Sequence, residues 1–213
     1  MSGSRNLDEY QQSKKIIDDL IWVQKRLPEQ VFKIPFQHFA FLEFEEVLYR
    51  PPFLDNLQKF LHLIDEEEFW FVVVSPDPEE FFFQHFRKYP VFRFRANGNK
   101  DEYFNIIEMS LSDDSKDSIE LHSTVILLAS TSNRWVIYAD RDFEITIVGF
   151  ATNQLKALFT EIYGKQKIFS IPEVVDEIFS SVYCHASPAT LRHISTKFES
   201  NYSSVSDEES EII

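Results

Sequence analysis

Glycine is scarce in this 213-residue chain: Gly3, Gly98, Gly149 and Gly164 are the only four. Phosphate-cradling loops need closely spaced glycines so that the backbone can approach the anion. These four are too far apart for G-x-G-x-x-G or a P-loop, which excludes nucleotide binding by those two routes. Cysteine is scarcer still, with Cys184 alone, so no intramolecular disulfide and no C-x-x-C pair can form. That pattern reads as a protein of a reducing, cytoplasmic compartment. Long apolar runs are missing as well. Phe69 to Val74 is the longest, far short of a bilayer span, and Met1 to Lys15 lacks the apolar stretch of a signal peptide. No membrane partner is expected.

Motifs that carry chemistry are equally absent. Metal sites need ligands at converging spacings such as H-E-x-x-H, whereas His38, His62, His85, His122, His185 and His193 are scattered one per element. Cys184 and His185 are neighbours in sequence, and adjacent side chains do not face one another on a helix or strand. There is no G-x-S-x-G elbow and no S-x-x-K box. No catalytic residue, metal or cofactor is therefore assigned, and the reading leans away from an enzyme.

What the chain does contain is aromatic and acidic. Twenty-two Phe, eight Tyr and three Trp, within 44% hydrophobic residues, supply a core of large rings. Lys and Arg number 21 against 35 Asp and Glu, a formal charge of −14. The excess is unevenly placed. Residues 81–100 hold no acid and carry Arg87, Lys88, Arg93, Arg95 and Lys100, between the acidic stretches Asp65, Glu66, Glu67, Glu68 and Asp113, Asp114, Asp117. Rings interleaved with cations in Phe92-Arg93-Phe94-Arg95 have the composition of a nucleic-acid groove. On a strand, however, the phenylalanines share one face and the arginines the other, as in any half-buried strand. With the surrounding negative charge, nucleic acid is not an expected partner, and the arginines are expected to pair internally or meet an acidic partner.

Apolar spacing predicts a helix over about residues 8–27 ended by Pro28, a strand over Phe36–Phe44, a break at Tyr49–Pro52 and a helix through Leu54–Ile64. Phe69–Val74 reads as a strand buried on both faces. Asp77, Pro78 and Glu80 form a D-x-x-E box opening a helix of about residues 78–88. Strands follow over Val91–Arg95, Tyr103–Ser110, Leu121–Ala129, Arg134–Ala139 and Phe143–Gly149, the last three as an antiparallel meander. Thr152 and Gly164 bracket a helix, and Ser170-Ile171-Pro172-Glu173 opens another. From about residue 195 aliphatic residues give way to Ser, Asp and Glu. The layout is an α+β fold over residues 1–194, with a largely antiparallel sheet of about five to seven strands and helices packed against it, then an acidic tail, 195–213, expected to be disordered.

Surface chemistry supplies the remaining expectations. Glu43, Glu45 and Glu46 follow an aromatic strand, where either a cleft wall or a solvated strand end would place them. Trp135 and Tyr138 beside the turn Asp140-Arg141-Asp142 could form a recognition tip, or could be core residues of a tight hairpin. The candidate partner-binding residues are these five together with Asp65–Glu68, Asp113, Asp114 and Asp117. Taken together they suggest an acidic protein-binding protein, of the inhibitor or immunity type, that occludes a basic partner enzyme such as a nuclease toxin. The alternatives are an interaction or scaffold module, homodimeric or otherwise, and an enzyme whose site is assembled from distant positions.

Overall fold

The computed structural model describes residues 3–49, 51–112 and 117–204. Helix α1 (Gly3–Leu20) is shorter than its periodicity predicts. Ile21 leaves the helix to bridge Phe32, and the Trp22 N–H donates to the Val31 carbonyl at 2.8 Å. Ile21, Leu27, Val31 and Phe32 are all buried in the connection that follows. The apolar spacing ran on past Leu20 because this connection is itself part of the core.

Strand β1 (His38–Glu43) leads into α2 (Phe44–Tyr49). The two prolines read as a break instead begin α3 (Pro51–Leu63), where a missing N–H costs nothing because the first turn has no intrahelical acceptor for it. Strand β2 (Glu68–Ser75) follows, then a π-helical turn Pro78–Phe83 running into α4 (Gln84–Phe86), and strand β3 (Val91–Arg95). Asp77 caps as expected, one carboxylate oxygen accepting the Glu79 and Glu80 N–H groups at 2.8 Å. Arg87, at φ 57°, ends the helical run in the left-handed region.

The predicted strand over Tyr103–Ser110 is corrected to a helix, α5 (Lys100–Ile107). Asn99 accepts the Asp101 N–H, Asp101 and Glu102 favour the positive end of the helix, and Tyr103 and Ile107, four apart, form its buried stripe. The run from Leu121 is divided likewise: Ser118 caps a short α6 (Ile119–His122), and β4 (Val125–Ala129) starts later. The meander then continues as β5 (Trp135–Asp140) and β6 (Ile145–Phe150). Thr152 and Gly164 bracket α7 (Asn153–Tyr163), and Ser170 and Glu173 close a reciprocal capping box on α8 (Ile171–Glu173). A π-helical turn Val174–Phe179, α9 (Ser180–Val182) and α10 (Pro188–Tyr202) complete the described chain.

Residues 195–202 of the segment expected from its composition to be a disordered tail are helical instead. They form the second half of α10, with Phe198 and Tyr202 fully buried. One aromatic per helical turn anchors this stretch, although its other residues are polar. The rest of that segment, 205–213, lies outside the described residues.

All strand pairs are antiparallel, in the order β1-β6-β5-β4-β2-β3. Helices cover both faces of the sheet. Phe69, Phe71, Trp135, Ile137 and Phe150 point toward α2, α3, α5 and α7, whereas Trp70, Val72, Leu127, Tyr138 and Ile147 point toward α1, residues 21–36 and α10. This two-sided cover explains why β4, β5 and β6 are buried at every position. Phe60 of α3 holds one side together, meeting Phe159 at 5.4 Å, Phe150 at 6.1 Å and Trp135 at 6.2 Å between ring centroids, each edge to face. On β6, Gly149 leaves room for the Phe36 ring, which a Cβ would meet at 2.7 Å. The outer edge of β1 is closed by the Phe169 N–H on the Phe41 carbonyl and by Ser204 Oγ accepting the Phe39 N–H.

Candidate functional site

The strand registers place Glu43, Ile145, Asp140, Val125 and Ser75 in one row across one end of the sheet. Loops leaving this row carry a concentration of acid. The β5–β6 turn is set by its own side chains: Asp140 Oδ1 accepts the Asp142 N–H at 3.1 Å, and the Arg141 N–H donates to the Thr124 carbonyl at 2.9 Å. Glu144 closes the turn at φ 52°, a conformation that costs a non-glycine residue about 1–2 kcal/mol. Its carbonyl accepts the Phe44 N–H at 3.1 Å, tying the turn to the start of α2.

Between this turn, the end of β1 and the π-helical turn 174–179 lies an open groove of about 570 Å³. Glu43, Glu45, Glu144 and Glu177 stand on its walls, all exposed, and the buried side chains of Phe44 and Ile178 form apolar parts of its lining. Among the described residues, Arg141 is the one cation in the lining. Its guanidinium donates to the Leu121 and Glu120 carbonyls and lies 5.3 Å from the Phe44 ring centre. Carboxylates around an apolar base suit a lysine or arginine side chain, whose alkyl stem is apolar and whose head is cationic. Glu46, next in sequence, turns inward to 4% exposure with Lys167 at 3.8 Å.

Of the residues singled out from the sequence, Arg141 lines this groove and Asp142 is exposed on the same turn. Trp135 and Tyr138 are core residues at 0% and 2% exposure. Asp140 is buried too, and that burial pushes its carboxyl up to about 6 against the pull of nearby Arg26. Asp117 accepts hydrogen bonds from Ser112 and His122, which hold its carboxyl below its ordinary value. Asp113 and Asp114 lie outside the described residues.

The Asp65–Glu68 cluster is elsewhere. The pairing of Glu68 with Arg95 puts it at the opposite end of the sheet, beside a groove of about 870 Å³ whose lining mixes both signs, with Lys59, Arg95 and Lys100 among the acids. Glu66 pairs with Arg134 at 2.9 Å, and Glu68 accepts from two guanidinium nitrogens of Arg93, which also lies 5.8 Å from the Trp70 ring centre. The internal pairing expected of the arginines thus holds for Arg93. Asp65 and Glu67 remain exposed, without an ion pair among the described residues.

Sequence reasoning had no signal for Glu144 or Glu177, which only the tertiary fold brings beside Glu43. Arg26 was equally hidden, as a polar residue on a predicted helix. Among the described residues no group of three or more His, Cys, Asp and Glu side chains converges as a metal site, and no helix is long and apolar enough to cross a membrane. No protein-family model, no curated protein and no solved structure matches this chain.

Proposed function

We propose that this chain is an acidic protein-binding protein whose glutamate-walled groove receives cationic side chains of a basic partner. In its most specific form the reading is an inhibitor or immunity-type protein that occludes a basic enzyme such as a nuclease toxin. The observation that supports it is the groove itself, with Glu43, Glu45, Glu144 and Glu177 exposed around Phe44 and Ile178. These side chains start from a paired strand, a hydrogen-bonded turn and a helical turn anchored in the core, so their positions need little ordering on binding. Complementary charge of this kind raises association rates and selects among partners. The exposed large apolar residues are Leu7, Trp22, Val23, Leu63, Phe83 and Leu121, of which only Trp22 and Val23 are neighbours in sequence, so docking through one broad apolar patch has less support than the groove.

The test is affinity capture with the wild-type chain and with a variant carrying Glu→Gln at 43, 45, 144 and 177. The expected result is a basic protein that binds the wild type at low salt, is released as salt rises, and is not retained by the variant. Equal retention of the same protein by both chains, or salt-insensitive capture of an acidic one, contradicts the reading.

A further inference from the structure

The two edges of the sheet end differently. Hydrogen bonding in an antiparallel pair alternates, so every second residue of an edge strand directs its N–H and C=O away from the sheet. On β1 the bond from the Phe44 N–H to the Glu144 carbonyl sets the alternation, which turns Phe39 and Phe41 outward, where Ser204 and Phe169 meet them. On β3 the bonds from the Val73 N–H to the Pro90 carbonyl and from the Ala96 N–H to the Glu67 carbonyl turn Phe92, Phe94 and Ala96 toward β2. Val91, Arg93 and Arg95 face out.

Val91 is fully buried and its N–H donates to the Tyr89 carbonyl, while the Arg95 carbonyl accepts the Gly98 N–H. What remains is the Arg93 N–H, the Arg93 carbonyl and the Arg95 N–H, none of which hydrogen-bonds another described residue. Both arginines are exposed. An antiparallel strand laid along this edge satisfies all three groups: its residue opposite Arg93 exchanges two bonds with it, and the residue two places earlier accepts the Arg95 N–H.

Side chains decide what such a strand carries. Arg93 and Arg95 project from one face of β3, where cross-strand neighbours interact directly. Arg95 stands opposite Glu68 in the register, but Glu68 accepts from Arg93, which leaves Arg95 without an ion pair among the described residues. A second copy of β3 paired about Arg93 would set arginine against arginine, and a lysine-rich strand would repel in the same way. Carboxylates two residues apart on an incoming strand meet both guanidinium groups and carry the alternation of charge from Glu68 through Arg95 one strand further.

We propose that the Arg93–Arg95 edge of β3 receives an extended acidic segment of a partner protein as a seventh strand, with carboxylates opposite the two arginines. The surface is separate from the glutamate groove, since β3 and β1 are opposite edges of the sheet and Arg95 and Glu43 lie at opposite ends.

Two blocked peptides, one alternating valine with glutamate and one alternating valine with lysine, test this by NMR titration of the intact chain at neutral pH and low salt. The glutamate peptide is expected to shift the Arg93 and Arg95 amide signals and to slow their hydrogen exchange about fivefold or more, and the lysine peptide to leave both unchanged. Arg95→Glu is expected to weaken the glutamate peptide about tenfold. Arg93→Pro removes an outward donor and no bond to β2, and is expected to abolish the protection at Arg95. Unchanged signals at both amides in excess glutamate peptide, or equal effects of the two peptides, overturn the proposal. So does protection at these amides that grows with the concentration of the chain alone, which would assign the edge to a second copy.

Discussion

Phe69→Ala lowers the unfolding free energy by about 3–5 kcal/mol, read as a shift of the urea midpoint with the slope unchanged. Phe69 is fully buried on β2, its ring 5.4 Å from that of Phe94 on β3 and 6.4 Å from Tyr103 on α5. Truncation at this position removes the whole ring from a junction of two strands and a helix, where the neighbours are themselves rings fixed by further contacts. The void has little freedom to collapse, which places the cost at the upper part of the range for core phenylalanines. A loss below about 1 kcal/mol contradicts a β2 strand covered on both faces.

A comparable effect is expected at the other end of the sequence. Phe198→Ala costs about 3–5 kcal/mol, although its surroundings in sequence, Ser195, Thr196, Lys197 and Glu199, look like solvated chain. Phe198 is fully buried, 5.0 Å from Phe179, 4.9 Å from Tyr202 and 5.5 Å from Phe41 of β1 between ring centroids. Tyr202 accepts the Val31 N–H and donates to the Glu29 carbonyl, so α10 also holds residues 28–31 in place. Loss of the Phe198 ring should loosen both segments, seen as faster amide exchange at Val31 as well as a lower denaturation midpoint. A midpoint equal to the wild type would return residues 195–202 to a solvated tail.

The parts of the fold legible in the sequence are those where local chemistry and tertiary packing agree. Asp77, Thr152 and Ser170 cap in the structure as their spacing predicts, and the three-strand meander follows from short polar links between apolar runs. Legibility fails where they diverge. Tyr103 to Ile107 is dense in large apolar residues and reads as a strand, and only the Asn99 cap with its acidic first turn signals the helix. Ile21 to Leu27 continues a helical spacing because a buried connection needs apolar residues as a helix face does. Around residue 198, spacing of single aromatics was outweighed by polar composition.

The site was legible in charge but not in place. Glu43, Glu45 and the Asp140–Asp142 turn stand out by composition. Their meeting with Glu144 and Glu177 depends on the β1–β6 pairing and on a helical turn that arrives from about thirty residues beyond the meander. Two of the four acids in the conspicuous Asp65–Glu68 run, Glu66 and Glu68, are paired with Arg134 and Arg93, and which of the four would be paired no spacing rule could reveal.

The most direct measurement compares association rate constants for the captured partner at low ionic strength. The chains are the wild type, the variant with Glu→Gln at 43, 45, 144 and 177, and a variant with Asp65, Glu66, Glu67 and Glu68 replaced by Ser. Both variants remove four formal charges, so long-range charge alone cannot separate them. The account predicts a fall of about tenfold or more for the groove variant and a clearly smaller one for the cluster variant, with dissociation also faster only in the former. Equal rates for the two variants, or a larger loss in the cluster variant, contradict it.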